Sequence, residues 1–334
     1  MAIDFSKLIT IDKNWVTNEL NHHYTEKIND KLNVRLYSIK PSGTTINSIS
    51  LASSLLDILP YYFKSKFEID RIIKREVSKT ITAYTTASEI DHQLEVSKKI
   101  HTRTYREAKS FFKKKSSDSK SGKYGELLLF GLVESILDCK MIAHKITNLT
   151  NYHDEIKGGD GIFMGNYKLS NGNIETAYLI GESKIWQDYS GAKKDALESI
   201  NRFYDSKVQA DFKTLEFFIA QKDIEKVVDE QTDIDELYER LDQKSDLFKS
   251  QIAVHPILIM YETKSYNTLM KKALNNSELN TLINTQVQSK LKVTLDSITK
   301  KVKEFPELEK VFLDFILIPT NSVSDFNDTM DNLI

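Results

Sequence analysis

The residues that this sequence uses sparingly exclude several kinds of protein. It has 334 residues but one cysteine, Cys139, so no disulfide can form within the chain and a cysteine-rich zinc module is excluded. No stretch approaches the roughly 20 apolar residues that cross a bilayer, and the N-terminus lacks the basic and apolar segments of a secretion signal. We therefore expect a cytoplasmic globular protein.

An excess of charge of one sign is also missing. The 46 basic and 48 acidic residues leave a formal net charge of -2. That balance excludes a protein coated in positive charge, as histone-like binders are, so any contact with nucleic acid must be a local patch. With 40% hydrophobic residues, the chain can bury a large core in one large domain or two modest ones.

Apolar periodicity in the first part of the chain predicts helices and one strand. Helical spacing marks Ile49 to Leu59 and Ile90 to Phe112, whereas Val34 to Ile39 has the composition of a strand. The lysines and serines of residues 111–123 then replace the apolar pattern, as in an exposed connection. We therefore predict an N-terminal α+β region, residues 1–115, that contacts a partner or DNA, and a second domain, residues 116–334.

The second domain is predicted to begin with a buried helix and to continue with a hairpin. Apolar residues recur at helical spacing from Leu128 to Cys139. Asn171-Gly172 lies between two largely apolar segments, residues 160–169 and 174–186, and Asn-Gly is a strong signal for the turn of an antiparallel hairpin. The two segments should therefore pair as neighbouring strands.

Helices and buried strands alternate in the remainder of the chain. Helical spacing is present around residues 196–203, 224–241 and 282–302. Ile252 to Met260 and Val311 to Ile318 are short apolar runs that suit buried strands, although Pro256 should push the first toward an edge or a bulge. This order predicts an α/β fold in which helices flank a mixed sheet.

A glutamate and a lysine two residues apart carry the most specific chemical signal. On a strand, Glu182 and Lys184 project from one face and Ser183 from the other. A metal-binding carboxylate would thus stand beside an ammonium that orients or helps deprotonate an attacking water, with the Ser183 carbonyl available to the metal. Alternating charges are also common on the wet face of a strand, but the apolar residues 177–181 before this pair indicate a buried strand.

Two further carboxylates could join this pair. Asp160, in a Gly-Asp-Gly sequence, opens the first strand of the predicted hairpin, so folding back would bring it near Glu182; the alternative is a turn residue that caps local amides. Glu126 lies in the first turn of the predicted buried helix, where it could enter the metal shell or simply complement the helix dipole. Magnesium suits such a set because it binds carboxylate and carbonyl oxygens and keeps several waters.

The order of Glu126, Asp160 and Glu182-Ser183-Lys184 resembles the PD-(D/E)XK nuclease pattern, with Gly-Asp in place of the Pro-Asp of many members. More narrowly, the Gly-Glu helix start and the GGDGIF and GESKIW segments, within residues 121–190, resemble the HamA family of the Hachiman anti-phage defence system. The resemblance implies a restriction-endonuclease-like core with Glu126, Asp160, Glu182 and Lys184 as catalytic residues. It also implies a bacterial DNase effector that uses Mg²⁺, or Mn²⁺ in its place, and is restrained by a HamB-like superfamily 2 helicase until phage infection or DNA damage.

Lysines near these motifs are candidates for contacts with DNA phosphates. Lys113, Lys114 and Lys115 precede the buried helix, as do Lys120 and Lys123, and Lys193 and Lys194 follow the Glu-x-Lys strand. Such contacts would give salt-sensitive binding without sequence readout, whereas the alternative is a solvated surface.

Three functions remain open from the sequence. A metal-dependent DNA endonuclease of low sequence specificity is favoured because no zinc finger or helix-turn-helix signature is present to distinguish bases. A site-specific restriction endonuclease would instead use the N-terminal region or the C-terminal helices to recognise bases. A non-catalytic nucleic-acid sensor or helicase scaffold would use the acidic cluster only for structure.

Overall fold

A computed structural model of the chain describes residues 3–80, 86–115, 122–143, 159–204, 220, 224–229 and 231–334. Its strands are β1 (Leu20–Asn29), β2 (Leu32–Ile39), β3 (Cys139–Ala143), β4 (Gly161–Lys168), β5 (Ile174–Trp186), β6 (Ile252–Glu262) and β7 (Phe312–Thr320). In the described part, its α-helices are α1 (Asn14–Glu19), α2 (Ile49–Phe63), α3 (Lys66–Thr80), α4 (Thr86–Lys115), α5 (Lys123–Ile136), α6 (Tyr189–Asn201), α7 (Ile234–Leu241), α8 (Asp246–Lys249), α9 (Lys264–Lys272), α10 (Asn276–Val302) and α11 (Val323–Leu333). None of these helices combines the length and apolar character that a bilayer crossing needs.

The strands form one mixed sheet of seven, in the order β1-β2-β7-β6-β5-β4-β3. The central strands β5, β6 and β7 are parallel and β2 is parallel to β7, whereas β3, β4 and β1 pair antiparallel with their neighbours. Parallel strands are usually covered on both faces, which explains the almost continuous apolar runs of β6 and β7. The predicted mixed sheet flanked by helices is confirmed.

The sheet joins the two regions that the sequence divides. Strand β2, from before residue 115, pairs with β7 from near the C-terminus through the register of Leu32 with Leu313 to Leu36 with Leu317. The hydrophobic core is likewise shared, because Leu55 and Leu59 of α2 belong to the same buried cluster as Leu128 of α5. Residues 116–121, where the boundary is predicted, lie outside the described residues, and the boundary stays a prediction.

Cys139 corrects the predicted end of the buried helix. Helix α5 ends at Ile136, and Cys139 is the first residue of β3. Asp138 between them has φ 55°, a left-handed conformation that a helix cannot continue and that aspartate tolerates better than most residues. The apolar spacing continued across the junction because both elements bury their side chains against the same core.

Pro256 corrects a second expectation, because β6 is a central strand and not an edge. Its pairing with β5 runs to Val254 and resumes at Ile257. Proline has no N–H to donate at this point, and the carbonyl of Ile180 instead accepts a hydrogen bond from Nδ1 of His255 at 2.9 Å. Nδ1 must therefore carry a proton, and Nε2 of the ring is hydrogen-bonded to the Tyr204 hydroxyl at 2.6 Å.

A buried ion pair fastens β2 to β7. The guanidinium of Arg35 donates two hydrogen bonds to the carboxylate of Asp314, at 2.8 and 3.0 Å. The Tyr167 hydroxyl, at the end of β4, donates to the same carboxylate at 2.8 Å and accepts from the Asn33 amide at 2.7 Å. Because Asp314 is fully buried and Arg35 is 18% exposed, each charge relies on the other for compensation.

We expect Asp314→Ala to lower the free energy of unfolding by about 3 to 5 kcal/mol, because it leaves a largely buried guanidinium uncompensated. Urea denaturation would measure the change. Glu307→Ala is the control, since it removes an exposed ion pair with Lys310 and should cost less than about 1 kcal/mol. Equal effects of the two substitutions would contradict the assigned role of the buried pair.

Candidate active site

The hairpin of β4 and β5 brings the predicted carboxylates onto neighbouring strands. Gly161 pairs with Gly181, and just beyond this pair the amide of Asp160 donates to the carbonyl of Gly181 at 2.8 Å. Asp160 therefore lies beside the peptide that leads to Glu182. Gly159 permits this approach, because a Cβ there would lie 2.4 Å from Cγ2 of Ile180.

Asp160 is held by a residue far away in the sequence. Its Oδ2 accepts hydrogen bonds from the amide of Ser183 at 2.7 Å and from the Ser183 hydroxyl at 2.6 Å. The side chain is buried. These bonds tie the start of β4 to the Glu-x-Lys segment of β5, in contrast to the alternative of a turn aspartate that caps only local amides.

Glu182 and Lys184 form an ion pair on one face of β5, as their spacing predicts. Nζ of Lys184 lies 2.8 Å from Oε1 of Glu182 and 2.8 Å from Oδ2 of Asp195 in α6. Glu182 is almost completely buried, at 4% side-chain exposure, whereas Asp195 is 45% exposed. Sequence reasoning missed Asp195, although its position in the helix that follows the Glu-x-Lys strand could have indicated it.

The contacts of Lys184 keep it positively charged. Burial alone would lower its pKa, but the charge of Glu182 and hydrogen bonds to Asp195 and Glu182 outweigh burial, with a further contribution from Asp160. The net result is a pKa above the ordinary value of 10.5. An ammonium in this position can attract and orient an oxygen, but it is a poor acceptor of protons near neutral pH.

Ser183 and helix α5 lie on the opposite face of β5. A Cβ added to Gly125 of α5 would be 2.7 Å from Oγ of Ser183, and one added to Gly181 would be 2.8 Å from Cδ2 of Leu129. These two glycines let helix and strand approach closely. Ser183 therefore turns away from Glu182 and Lys184, as the strand period predicts.

Glu126 is placed at the first turn of α5 and is paired with an N-terminal residue. Its Oε2 accepts a hydrogen bond from the Tyr62 hydroxyl of α2 at 3.1 Å, and both side chains are buried. Burial, the charge and hydrogen bond of Glu126, and the charge of Asp160 together raise the pKa of Tyr62 well above its usual value. Because Tyr62 lies 64 residues before Glu126 in the chain, sequence spacing could not predict this hydrogen bond.

The donor set suits a divalent cation held by two carboxylates. Asp160 and Glu182 supply oxygen atoms on adjoining strands, and magnesium needs only one or two carboxylates when it keeps its waters. Across the described residues, no group of three or more histidine, cysteine, aspartate or glutamate side chains is arranged to hold a metal. The role of Glu126 in the metal site stays a prediction.

The predicted phosphate-binding lysines occupy different environments. Lys113 lies near the end of α4 on an exposed part of the helix. The side chains of Lys114 and Lys115, and the whole of Lys120, lie outside the described residues. Lys123 is buried, and its ammonium donates a hydrogen bond to the carbonyl of Phe112 at 2.9 Å, which links the start of α5 to the end of α4.

The lysines of α6 differ from each other. Lys193 is buried and donates to the carbonyl of Ser297 in α10 at 3.2 Å. Lys194 is exposed, and its ammonium is 3.7 Å from Glu198 one turn further along the helix. Contact of either lysine with DNA stays a prediction.

Comparison with protein families relates nearly the whole chain to one of them. The family model for HamA matches residues 11–334. This span contains all four predicted catalytic residues and the whole sheet, including the N-terminal strands. No curated protein matches the chain.

We expect Gly125→Ala to lower the free energy of unfolding by about 1 to 3 kcal/mol, because the new methyl group would press on the Ser183 hydroxyl that holds Asp160. Gly122→Ala is the matched control, since no atom lies within 4 Å of a Cβ at that position. It should change the free energy by less than about 1 kcal/mol. Chemical denaturation of both variants measures the difference, and similar values would contradict close packing at Gly125.

Lys184 should titrate above its ordinary pKa of 10.5 in the folded protein. NMR of selectively labelled lysine side chains would measure the pKa directly, and Glu182→Gln should lower it by removing the nearest negative charge. The stabilisation from this raised pKa is complete below the unfolded value and is lost as the pH rises through the folded one. Glu175→Gln, at an exposed position of the same strand, should leave the pKa unchanged; a wild-type pKa below 10.5 would contradict the ion pairs.

Proposed function

The chain belongs to the HamA family and is therefore a protein associated with Hachiman anti-phage defence, and from this premise we propose that it is a metal-dependent DNA endonuclease effector controlled by a partner helicase. The observation that carries the proposal is the pairing of Asp160 and Glu182 on adjoining strands with Lys184 beside them. Metal-dependent hydrolysis of a phosphodiester uses oxygen ligands for the metal together with positive charge at the phosphate. The expected fold is that of the PD-(D/E)XK nucleases.

Asp160 and Glu182 would hold Mg²⁺, or Mn²⁺ in its place, and the Ser183 carbonyl is the proposed third protein ligand. Such a metal, when bound, lowers the pKa of water and neutralises charge on the phosphate. Ser183 fixes the Asp160 carboxylate from one side with its amide and hydroxyl. Glu126, held by Tyr62, would support the site from α5 through a water.

Lys184 would act as an electrostatic residue. Its ammonium is held between Glu182 and Asp195, which fixes its position without a rotamer change at the moment of reaction. Because its pKa is raised, it would orient the attacking water and stabilise negative charge in the transition state, and the proton of that water would leave to solvent or to the phosphate. The sequence left two roles open for this lysine, orienting the attacking water or helping to deprotonate it, and we propose the first.

A non-catalytic nucleic-acid sensor or helicase scaffold is the second candidate. One observation favours it: Asp160 is hydrogen-bonded to Ser183, and Lys184 is paired with Glu182 and Asp195, as in a structural network. In that case, the wild-type chain would cleave no DNA, and loss of the network would only unfold the protein or disturb partner binding.

We expect the purified chain, alone or with its helicase partner, to degrade plasmid and linear DNA in Mg²⁺ and to be inactive in EDTA. Asp160→Ala, Glu182→Ala and Lys184→Ala should each reduce the cleavage rate by a factor of about 100 or more. Gel electrophoresis over time gives the rate. A smear would support low sequence specificity, whereas discrete fragments would support a site-specific restriction endonuclease.

Matched controls separate chemistry from folding and from general charge. Glu175→Ala and Lys168→Ala remove one carboxylate and one ammonium from exposed positions of β5 and β4, and both should cleave DNA at the wild-type rate. Circular dichroism melting must show that the site variants are folded. Cleavage that persists in EDTA, or in folded Glu182→Ala and Lys184→Ala, would contradict the proposed metal site, and the absence of DNA cleavage by the wild type would favour the scaffold function.

A further inference from the structure

A basic cleft of about 310 Å³ lies between the start of α6 and the end of α10. Lys193 and Lys194 line it from α6, and Lys300 and Lys301 line it from α10, with Glu304 as the one acidic residue of the lining. Four positive charges and one negative charge give the lining a formal charge of +3. On a chain with a net charge of -2, this is a pronounced local concentration of positive charge.

The lysines of the cleft are held in place by different contacts. Lys193 packs on the ring of Tyr189, with its ammonium 4.9 Å from the ring centre, and donates to Ser297. The ammonium of Lys301 forms an ion pair with Glu304 at 2.6 Å, and that of Lys194 lies 3.7 Å from the carboxylate of Glu198. Lys300 is an exposed residue of the lining and forms no ion pair among the described residues.

Like charges confined to one cleft favour an anion. Burial is the main cause that lowers the pKa of Lys193, and the neighbouring charge of Lys301 lowers it further. The first amides of α6 are already occupied, because the Asp188 carboxylate accepts from Ser190 and Gly191 at 3.3 and 2.6 Å. The lysine side chains, and not the end of the helix, would therefore hold the anion.

The cleft adjoins the candidate active site along α6. Lys194 directly precedes Asp195, whose carboxylate is 2.8 Å from the ammonium of Lys184. Neighbouring helical residues are separated by a rise of about 1.5 Å and a turn of about 100°. An extended ligand bound at Lys184 would therefore need to pass only one side of α6 to reach the cleft. A polynucleotide has this reach and carries a phosphate at every step.

We propose that the cleft between α6 and α10 binds backbone phosphates of the DNA close to the phosphate that is cleaved. Lys300 and Lys301 would make contacts additional to those of the lysines of α6. The inference rests on the proposed function for its ligand. Contact is electrostatic and independent of sequence, and the Glu304 carboxylate weakens it by competing for Lys301.

Fluorescence anisotropy with a labelled DNA duplex tests this, in EDTA so that cleavage does not interfere. Lys300→Gln/Lys301→Gln should weaken binding about tenfold at moderate salt and reduce the slope of log affinity against log salt by about 1 to 2, because each phosphate contact contributes about 0.9. Glu304→Gln should strengthen binding. A merely structural role of these residues would not raise affinity in one variant and lower it in the other.

The matched control is Lys271→Gln/Lys272→Gln, which removes two exposed adjacent lysines at the end of α9. These lie near the start of the 27-residue α10, roughly 30 to 40 Å along the helix from the cleft. The control should keep the wild-type slope. Equal slopes for the control and the Lys300/Lys301 variant, unaltered affinity of Glu304→Gln, or no DNA binding by the wild type would each overturn the inference.

A competition arm distinguishes a strand from a free anion. Inorganic phosphate, added at constant ionic strength, should displace the duplex only weakly if several phosphates bind together, whereas displacement at micromolar concentration would assign the cleft to a free anion and overturn the inference. Cleavage assays separate this result from the proposed function. If the wild type cleaves DNA and the Lys300/Lys301 variant binds it normally, only the inference about the cleft is overturned. If the wild type does not cleave DNA and the variant binds it more weakly, only the proposed nuclease function is overturned.

Discussion

The arrangement of the candidate site depends on the register of one hairpin, fixed where the amide of Asp160 meets the carbonyl of Gly181. Side chains alternate along a strand, so a slip of one residue between β4 and β5 would reverse the relation of Asp160 to Glu182 and Lys184. The Asn171-Gly172 turn sets the register from the far end of the hairpin, and Gly172 adopts the positive φ that this turn needs. Local turn chemistry thus positions carboxylates 22 residues apart in the chain.

The space around the hairpin is as important as its hydrogen bonds. Helix α5 can approach β5 because Gly125 and Gly181 carry no Cβ, and Gly159 lets the chain enter β4 against Ile180. This close packing leaves Ser183 and Asp160 buried. Buried carboxylates are costly unless they are hydrogen-bonded, and each of Glu126, Asp160 and Glu182 has a donor beside it.

Sequence reasoning could predict the features that depend on local pattern. The hairpin, the shared face of Glu182 and Lys184, and the opposite direction of Ser183 follow from turn chemistry and a period of two. It could not predict Tyr62 or Asp195, since a hydrogen bond or ion pair between distant elements leaves no periodic signal. Pro256 misled it for a related reason: proline normally disfavours a central strand, and only the imidazole of His255 replaces the missing donor.

Charge balance connects the candidate active site with the cleft that adjoins it along α6. Asp160, Glu182 and Asp195 around the single ammonium of Lys184 carry a formal charge of -2, which equals and opposes the charge of one divalent cation. The cleft lined by Lys193, Lys194, Lys300, Lys301 and Glu304 carries +3. The negatively charged site would repel a phosphate unless a bound cation offsets its charge, whereas the positively charged cleft would attract one. Strand binding would then depend on the cleft, whereas placement of the scissile phosphate would depend on the metal, so the two steps can be separated by removing the metal alone.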